Sequence, residues 1–153
     1  MIVVRFLMRF LLVPLAASVA ICVALTVVIV AHWNRFAALV AANPAPNDDA
    51  LVLLFLAPAL VLSAAAMAML APAALGALIA EAFAIRSWLF HVVNGGLSAW
   101  IGWIALEEYR KPFEFYDQPV IVVGAGIAAG FAYWAIAGWN AGFWKPVFAP
   151  PAR

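Results

Sequence analysis

Two long stretches without charge constrain the fold of this chain more than any other feature. Between Leu11 and Ala31 the only ionisable side chain is that of Cys22, and between Leu51 and Ala80 there is none. About 20 consecutive apolar residues in a helix cross the hydrocarbon core of a bilayer. Helices satisfy their own backbone hydrogen bonds, which a segment surrounded by lipid must do. The sequence therefore predicts an all-α integral membrane protein.

The composition leads to the same class and excludes another. Of the 153 residues, 69% are hydrophobic and 10% are charged, whereas a soluble domain usually carries about 25% charged residues. The lipid bilayer is therefore the first partner that we expect. The formal net charge is +1, and no basic patch is available to neutralise phosphates. Nucleic acid is excluded as a partner on that ground.

We predict one domain, residues 1–153, folded as a four-transmembrane-helix bundle with spans at 8–32, 51–80, 87–106 and 120–139. The first span has a basic start like that of a signal peptide. Its apolar stretch is longer than the roughly 7–15 residues of a cleavable segment, so we expect it to be retained. The second span contains Pro58 and Pro72. We expect a continuous, kinked helix, and the alternative is a chain that breaks at Pro72 and re-enters the bilayer.

The basic residues indicate an orientation. Lys and Arg are more frequent on the side of the N-terminus than on the opposite side, the first group being Arg5, Arg9, Arg86, Lys145 and Arg153 and the second Arg35, Arg110 and Lys111. Positively charged residues are enriched in the cytoplasmic segments of membrane proteins. We therefore expect both termini to be cytoplasmic.

The third span has one polar or small face, formed by Ser87, His91, Asn94, Ser98, Gly102 and Ala105. We expect this face to meet the other three spans through alanine and glycine contacts, and the remaining faces to meet lipid, with Trp88, Leu89, Val92, Val93, Leu97, Trp100, Trp103 and Ile104. Polar groups inside a membrane are costly unless they find partners. His91, Asn94 and Ser98 therefore form a candidate intramembrane polar site, for a proton or a substrate. The favoured interpretation is structural: hydrogen bonds across helices, to backbone freed by Pro72 or to serine.

Two charged residues lie between the second and third spans. Glu81 and Arg86 flank what we expect to be a tight turn over residues 81–87. At such a distance along the chain they are predicted to pair with each other at the membrane interface. Exposed pairs of this kind contribute little to stability.

A glycine-rich motif begins the fourth span, Val120 to Ala129. It is similar to a dinucleotide-binding fingerprint, but that fold needs a βαβ unit and usually an acidic residue about 20 positions later. Only 24 residues follow Ala129, with no acidic residue among them, so neither the unit nor the acidic residue is expected there. We interpret the motif as helix packing, in which Gly126 and Gly130 form one GxxxG pair and Gly124 and Ala128 a second small pair.

No metal or cofactor is expected. His32 and His91 are the only histidines, and they are predicted near opposite ends of their spans, too far apart to ligate one haem iron within a single chain. The acidic residues do not have the spacing of a calcium loop. Motifs for catalytic triads, phosphate loops and zinc are absent, so we do not expect an enzyme.

The C-terminal segment Phe131 to Gly142, with its Tyr133-Trp134 pair followed by Ile136-Ala137-Gly138, resembles the closing motif of small four-span inner-membrane proteins of bacteria. Trp139 stands where those proteins often have a basic residue. The resemblance implies a multi-pass protein of the cell inner (plasma) membrane and adds nothing about catalysis.

The sequence leaves three functions open. We favour a non-enzymatic accessory or interaction subunit that acts through a membrane-protein partner. The alternative is a small transporter or channel subunit that works as a homo-oligomer. The third is an electron-transfer subunit that binds haem or quinone.

Overall fold

The protein is described by a computed structural model, which covers residues 2–42, 48–105 and 118–142. Its helices are α1 (Ile2–Ala31), α2 (Trp33–Ala42), α3 (Asp48–Phe83), α4 (Trp88–Ala105) and α5 (Pro119–Ile136), followed by a short 3₁₀-helix, Gly138–Asn140. No strand occurs within those ranges. The prediction of an all-α fold is confirmed for this part of the chain.

Helix α3 is continuous through both prolines of the second predicted span. It runs for 36 residues from Asp48 to Phe83, so the alternative of a break at Pro72 is wrong. Each proline removes one backbone hydrogen bond from the ladder, which is not enough to end so long an apolar helix.

Helix α3 also continues past Glu81, so the predicted tight turn over residues 81–87 is wrong in its first half. Ala84 ends the helix with a left-handed φ of 55°. The Ile85 amide then donates to the Ala80 carbonyl over 2.8 Å, which is the hydrogen bond of a Schellman motif. The connection to α4 is therefore confined to residues 84–87.

The fourth predicted span, which corresponds to helix α5, ends earlier than its predicted limit at residue 139. Helix α5 finishes at Ile136, and Ala137 leaves the helical conformation with φ −120° and ψ −35°. The chain then forms the 3₁₀-helix, stabilised in part by a hydrogen bond from the Ala141 amide to the Gly138 carbonyl, 3.1 Å long. We call residues 137–142 the C-terminal turn.

The pairs of helices that pack together differ in one respect from the prediction. Helix α4 packs against both α3 and α5, as expected, but α1 packs mainly against α5. Helices α1 and α3 therefore have little direct contact. A bundle with one loosely closed side leaves space between these two helices.

Most large apolar side chains face outward. The compact core consists of Ala99, Trp103 and Val122, with Met69 packed against it. Trp103 is only 8% exposed, so its predicted lipid-facing position is wrong: the buried face of α4 is wide enough to include the residue next to Gly102. Among the residues that the structure describes, two segments are long and apolar enough to cross a membrane, Met8–Ala31 and Pro119–Ile136.

Candidate functional site

A buried ion pair joins the first and third helices. Arg9 Nη1 of α1 lies 3.0 Å from Glu81 Oε1 of α3, and the two side chains are 8% and 3% exposed. The predicted pairing of Glu81 with Arg86 is therefore wrong. Because Glu81 belongs to the last turns of α3 and not to a loop, its side chain points into the bundle, whereas Arg86 lies beyond the turn and is exposed.

The C-terminal turn supplies further hydrogen bonds to this ion pair. Arg9 Nη1 also donates to the Ala137 carbonyl over 2.9 Å, and Glu81 Oε2 accepts from the Gly142 amide over 2.9 Å. A buried ion pair offsets its desolvation only when further hydrogen bonds satisfy its polar atoms. These bonds supply such partners because the chain has left the helix after Ile136 and its backbone groups are available.

Arg86 has a different role from the one predicted. Its Nε donates to the Ala141 carbonyl over 3.1 Å, and its own carbonyl accepts from Trp134 Nε1 over 2.9 Å. The connection between α3 and α4 is thereby attached to α5 and to the C-terminal turn.

His91 is the largest fully buried side chain in the described part of the protein, at 1% exposure. Its Nε2 lies 3.3 Å from the Ile85 carbonyl, and because a carbonyl only accepts, Nε2 is the donor. The Tyr133 ring is 5.5 Å away, centroid to centroid. A Cβ placed on Gly138 would lie 2.7 Å from Nε2, so the C-terminal turn closes over the imidazole only because residue 138 is glycine.

Asn94 and Ser98 both bond to backbone. Asn94 Nδ2 donates to the Ala73 carbonyl of α3 over 3.2 Å, and its amide lies where any side chain on Gly76 would be. Ser98 Oγ donates to the Asn94 carbonyl over 2.7 Å. The interhelical hydrogen bond expected on this face is present, although its acceptor is not the Ala68 carbonyl that Pro72 leaves free.

The glycines of α5 divide into two groups. A side chain on Gly126 would overlap the Gly95 carbonyl of α4, and one on Gly130 would overlap the His91 carbonyl. These two predicted packing residues do let the backbones meet. Gly124 faces open space, so its predicted packing role is wrong. Ala128 is partly buried.

A cavity of about 710 Å³ lies among α1, α3, α4 and α5. The side chains of Arg9, Glu81, His91 and Tyr133 line one end, and those of Met69 and Trp103 line another part. Asn94 and Ser98 also contribute, and most of the other lining side chains are apolar. Phe10 of α1 and Leu78 of α3 line it too and are 70% and 62% exposed. The cavity therefore opens to the outside between α1 and α3.

Two hydrogen-bond donors at the polar end have no partner. Arg9 Nη2 and Tyr133 Oη are buried and make no hydrogen bond within the part of the chain that the structure describes. Buried donors without an acceptor are costly, and the described residues supply none for these two atoms.

Sequence reasoning missed the roles of Arg9 and Tyr133. The sequence pattern indicates Arg9 only as one of the charges at the membrane edge and Tyr133 only as part of the C-terminal motif. A signal for Arg9 existed, because an ionisable residue inside an apolar segment is a functional candidate by default. The described residues contain no group of three or more His, Cys, Asp or Glu that could hold a metal ion.

No family model matches the chain, and neither a curated protein nor a solved structure matches it.

Proposed function

We propose that this chain is a four-span protein of the cell inner membrane with both termini in the cytoplasm. The large apolar side chains exposed on α1, α4 and α5 support a lipid environment, because water would not tolerate so much apolar surface. The start of α1, the end of α3 and the C-terminal turn after α5 meet at Arg9 and Glu81, and α4 starts directly after the short connection that follows α3. Helices that alternate in direction in this way suit four successive crossings.

Its role is that of a non-enzymatic accessory or interaction subunit. The observation that carries this proposal is the use of polar atoms: Arg9 and Glu81 connect helices and the C-terminal turn, and Asn94 bonds across to α3. These hydrogen bonds hold the bundle together. The exposed tryptophans at both ends of α4, together with Trp139, would provide the surface for a membrane-protein partner.

A transporter or channel subunit acting as a homo-oligomer is the second candidate. The cavity favours it, because Asn94 and Ser98 line a space that extends along four helices. The apolar character of most of the lining favours it less, since an ion or polar solute needs a wet path.

The test begins with location and continues with partners. The full chain, carrying a C-terminal fluorescent protein that matures only in the cytoplasm, is expected to remain in carbonate-washed membranes and to fluoresce. Purification in mild detergent from native membranes should then yield a stoichiometric second protein. A soluble or non-fluorescent product would overturn the proposed topology, and a clean homo-oligomer would overturn the accessory role in favour of transport.

A further inference from the structure

We infer that Arg86 binds the phosphate of an anionic phospholipid at the cytoplasmic face of the membrane. The site consists of the Arg86 guanidinium and the exposed indole rings of Trp88 and Trp139. The inference rests on the proposed membrane location and topology. It names a lipid headgroup as a second partner, bound at the cytoplasmic end of the surface that carries the exposed tryptophans.

Arg86 is an exposed residue that the fold holds from two sides. Its Nε donates to the Ala141 carbonyl over 3.1 Å, and its own carbonyl accepts from Trp134 Nε1 over 2.9 Å. A guanidinium has five N–H groups, and the four on its two Nη atoms make no hydrogen bond to any residue that the structure describes. Two adjacent Nη groups match two oxygens of one phosphate. Because Nε is already held, less freedom is lost when the phosphate binds.

No carboxylate near Arg86 balances its charge within the described residues. Glu81, the acidic residue closest to it in the sequence, is 2% exposed and is paired with Arg9 over 3.0 Å. The other described acids, Asp48 and Asp49, begin α3, about 50 Å from the end of that helix. An anionic headgroup is therefore attracted without competition. A zwitterionic headgroup is less favoured, since its ammonium group repels the guanidinium.

The tryptophans place Arg86 at the depth of lipid phosphates. Trp88 lies two positions after Arg86 and Trp139 lies in the C-terminal turn, and the two residues are 53% and 48% exposed. Tryptophan is enriched where the membrane meets water, at the level of the headgroups. Further along α4, Leu89 and Val93 are also exposed, which gives the acyl chains an apolar surface. These contacts favour a lipid over free phosphate, which has no acyl chain.

The test uses the purified full chain in mild detergent, with bound lipid measured by native mass spectrometry. The two lipid probes are phosphatidylglycerol and phosphatidylethanolamine with identical acyl chains. We expect phosphatidylglycerol to bind roughly three- to tenfold more tightly, and excess inorganic phosphate at constant ionic strength not to displace it. Equal affinity for the two lipids would overturn the inference. Displacement by inorganic phosphate would overturn the assignment to a lipid.

Two variants connect the preference to the charge of Arg86. Arg86→Met should weaken phosphatidylglycerol binding roughly three- to tenfold. Ser87→Glu keeps the guanidinium but adds a carboxylate at the exposed neighbouring position, and should weaken binding to a similar degree. The second variant also provides a test if the first one does not fold. Unchanged binding in the folded variants would overturn the inference.

Two further variants separate a specific site from general attraction. Arg35→Met is the matched control, because it removes the same charge from α2, on the opposite side of the membrane in the proposed topology, and should leave binding unchanged. Arg86→Lys keeps the charge but loses the planar pair of Nη groups, and should recover only part of the binding. Equal losses in Arg86→Met and Arg35→Met, or full binding by Arg86→Lys, would overturn the assignment to the guanidinium.

The outcome separates the two proposals. A chain that is correctly inserted, stably folded and bound to a partner protein but without preference for phosphatidylglycerol leaves the accessory role intact and removes the lipid site. A chain found outside the membrane removes both.

Discussion

Arg9 and Glu81 are 72 positions apart in the sequence, and their side chains meet over 3.0 Å in the interior of the protein. Few local features of either residue predict this contact. It fixes the start of α1 against the end of α3 on the side of the bundle where these helices otherwise touch little. The start of α1 and the end of α3 are therefore held together by an ion pair and not by apolar packing.

Removing one partner of this pair should be far more harmful than removing both. Glu81→Leu leaves the Arg9 charge buried without compensation, and we expect it to lower the free energy of unfolding by about 3–5 kcal/mol. The double variant Arg9→Met with Glu81→Leu should recover a large part of that loss. Unfolding in mixed detergent and SDS gives the measurement.

The matched control for the ion pair is Arg86→Met, because Arg86 is exposed and makes one side-chain hydrogen bond, to the Ala141 carbonyl. We expect a loss of about 1 kcal/mol. If Glu81→Leu lowered the free energy of unfolding no more than this control, the buried ion pair would not stabilise the fold more than an exposed hydrogen bond does.

The glycines of α5 should differ sharply in their tolerance of a methyl group. Gly126→Ala would push α4 away at the Gly95 carbonyl, and a destabilisation of about 1–3 kcal/mol is expected from overpacking. Gly124→Ala, on the same helix and facing open space, should be neutral or stabilise the helix by about 0.5–1 kcal/mol. Equal losses in both variants would mean that α4 and α5 do not pack as described.

Asn94 should contribute to stability, and Ser98 much less. Asn94→Leu removes the hydrogen bond to the Ala73 carbonyl of another helix, which should cost about 1 kcal/mol. Ser98→Ala removes a bond to the carbonyl of its own helix and should change the midpoint of unfolding little. A folded Asn94→Leu protein of normal stability that loses a solute flux in proteoliposomes would instead favour the transporter.

The end of α3 offers a stabilising substitution. Ala84 has a φ of 55°, a conformation that costs a non-glycine residue roughly 1–2 kcal/mol. Ala84→Gly should therefore raise the free energy of unfolding by about 1 kcal/mol, even though glycine also gains freedom in the unfolded chain. Ala82→Gly, inside the helix two positions earlier, should lower it by about 0.5–1 kcal/mol. A loss of stability in Ala84→Gly would contradict the left-handed ending of α3.

Much of the helical layout could be predicted from local pattern. The apolar runs around Cys22 and between Leu51 and Ala80 predicted α1 and α3, and the spacing of His91 and Ser98 predicted the buried face of α4. Boundaries were less accurate at Glu81 and Ala137. There the helix end depends on a Schellman bond and on contacts with the C-terminal turn, neither of which has a strong local signature.

Only some residues of the candidate site could be predicted from the sequence. His91, Asn94 and Ser98 were identified because polar residues inside an apolar helix are conspicuous. Arg9 and Tyr133 do not stand out in the same way, since nothing near Arg9 in the chain indicates that Glu81 is its partner, and nothing near Tyr133 indicates that its ring contacts His91.

The amino-acid sequence alone was enough to specify helices, their approximate limits and the apolar character of their surfaces, because helical hydrogen bonds and side-chain hydropathy are local properties. The partner of Glu81, the inward position of Trp103 and the presence of two unpaired donors depended on how the helices pack. Such contacts join residues distant in the chain, and several packings of the same helices would satisfy the same hydropathy pattern. Close approach at Gly95 and Gly126, together with the ion pair at Arg9, selects one of them.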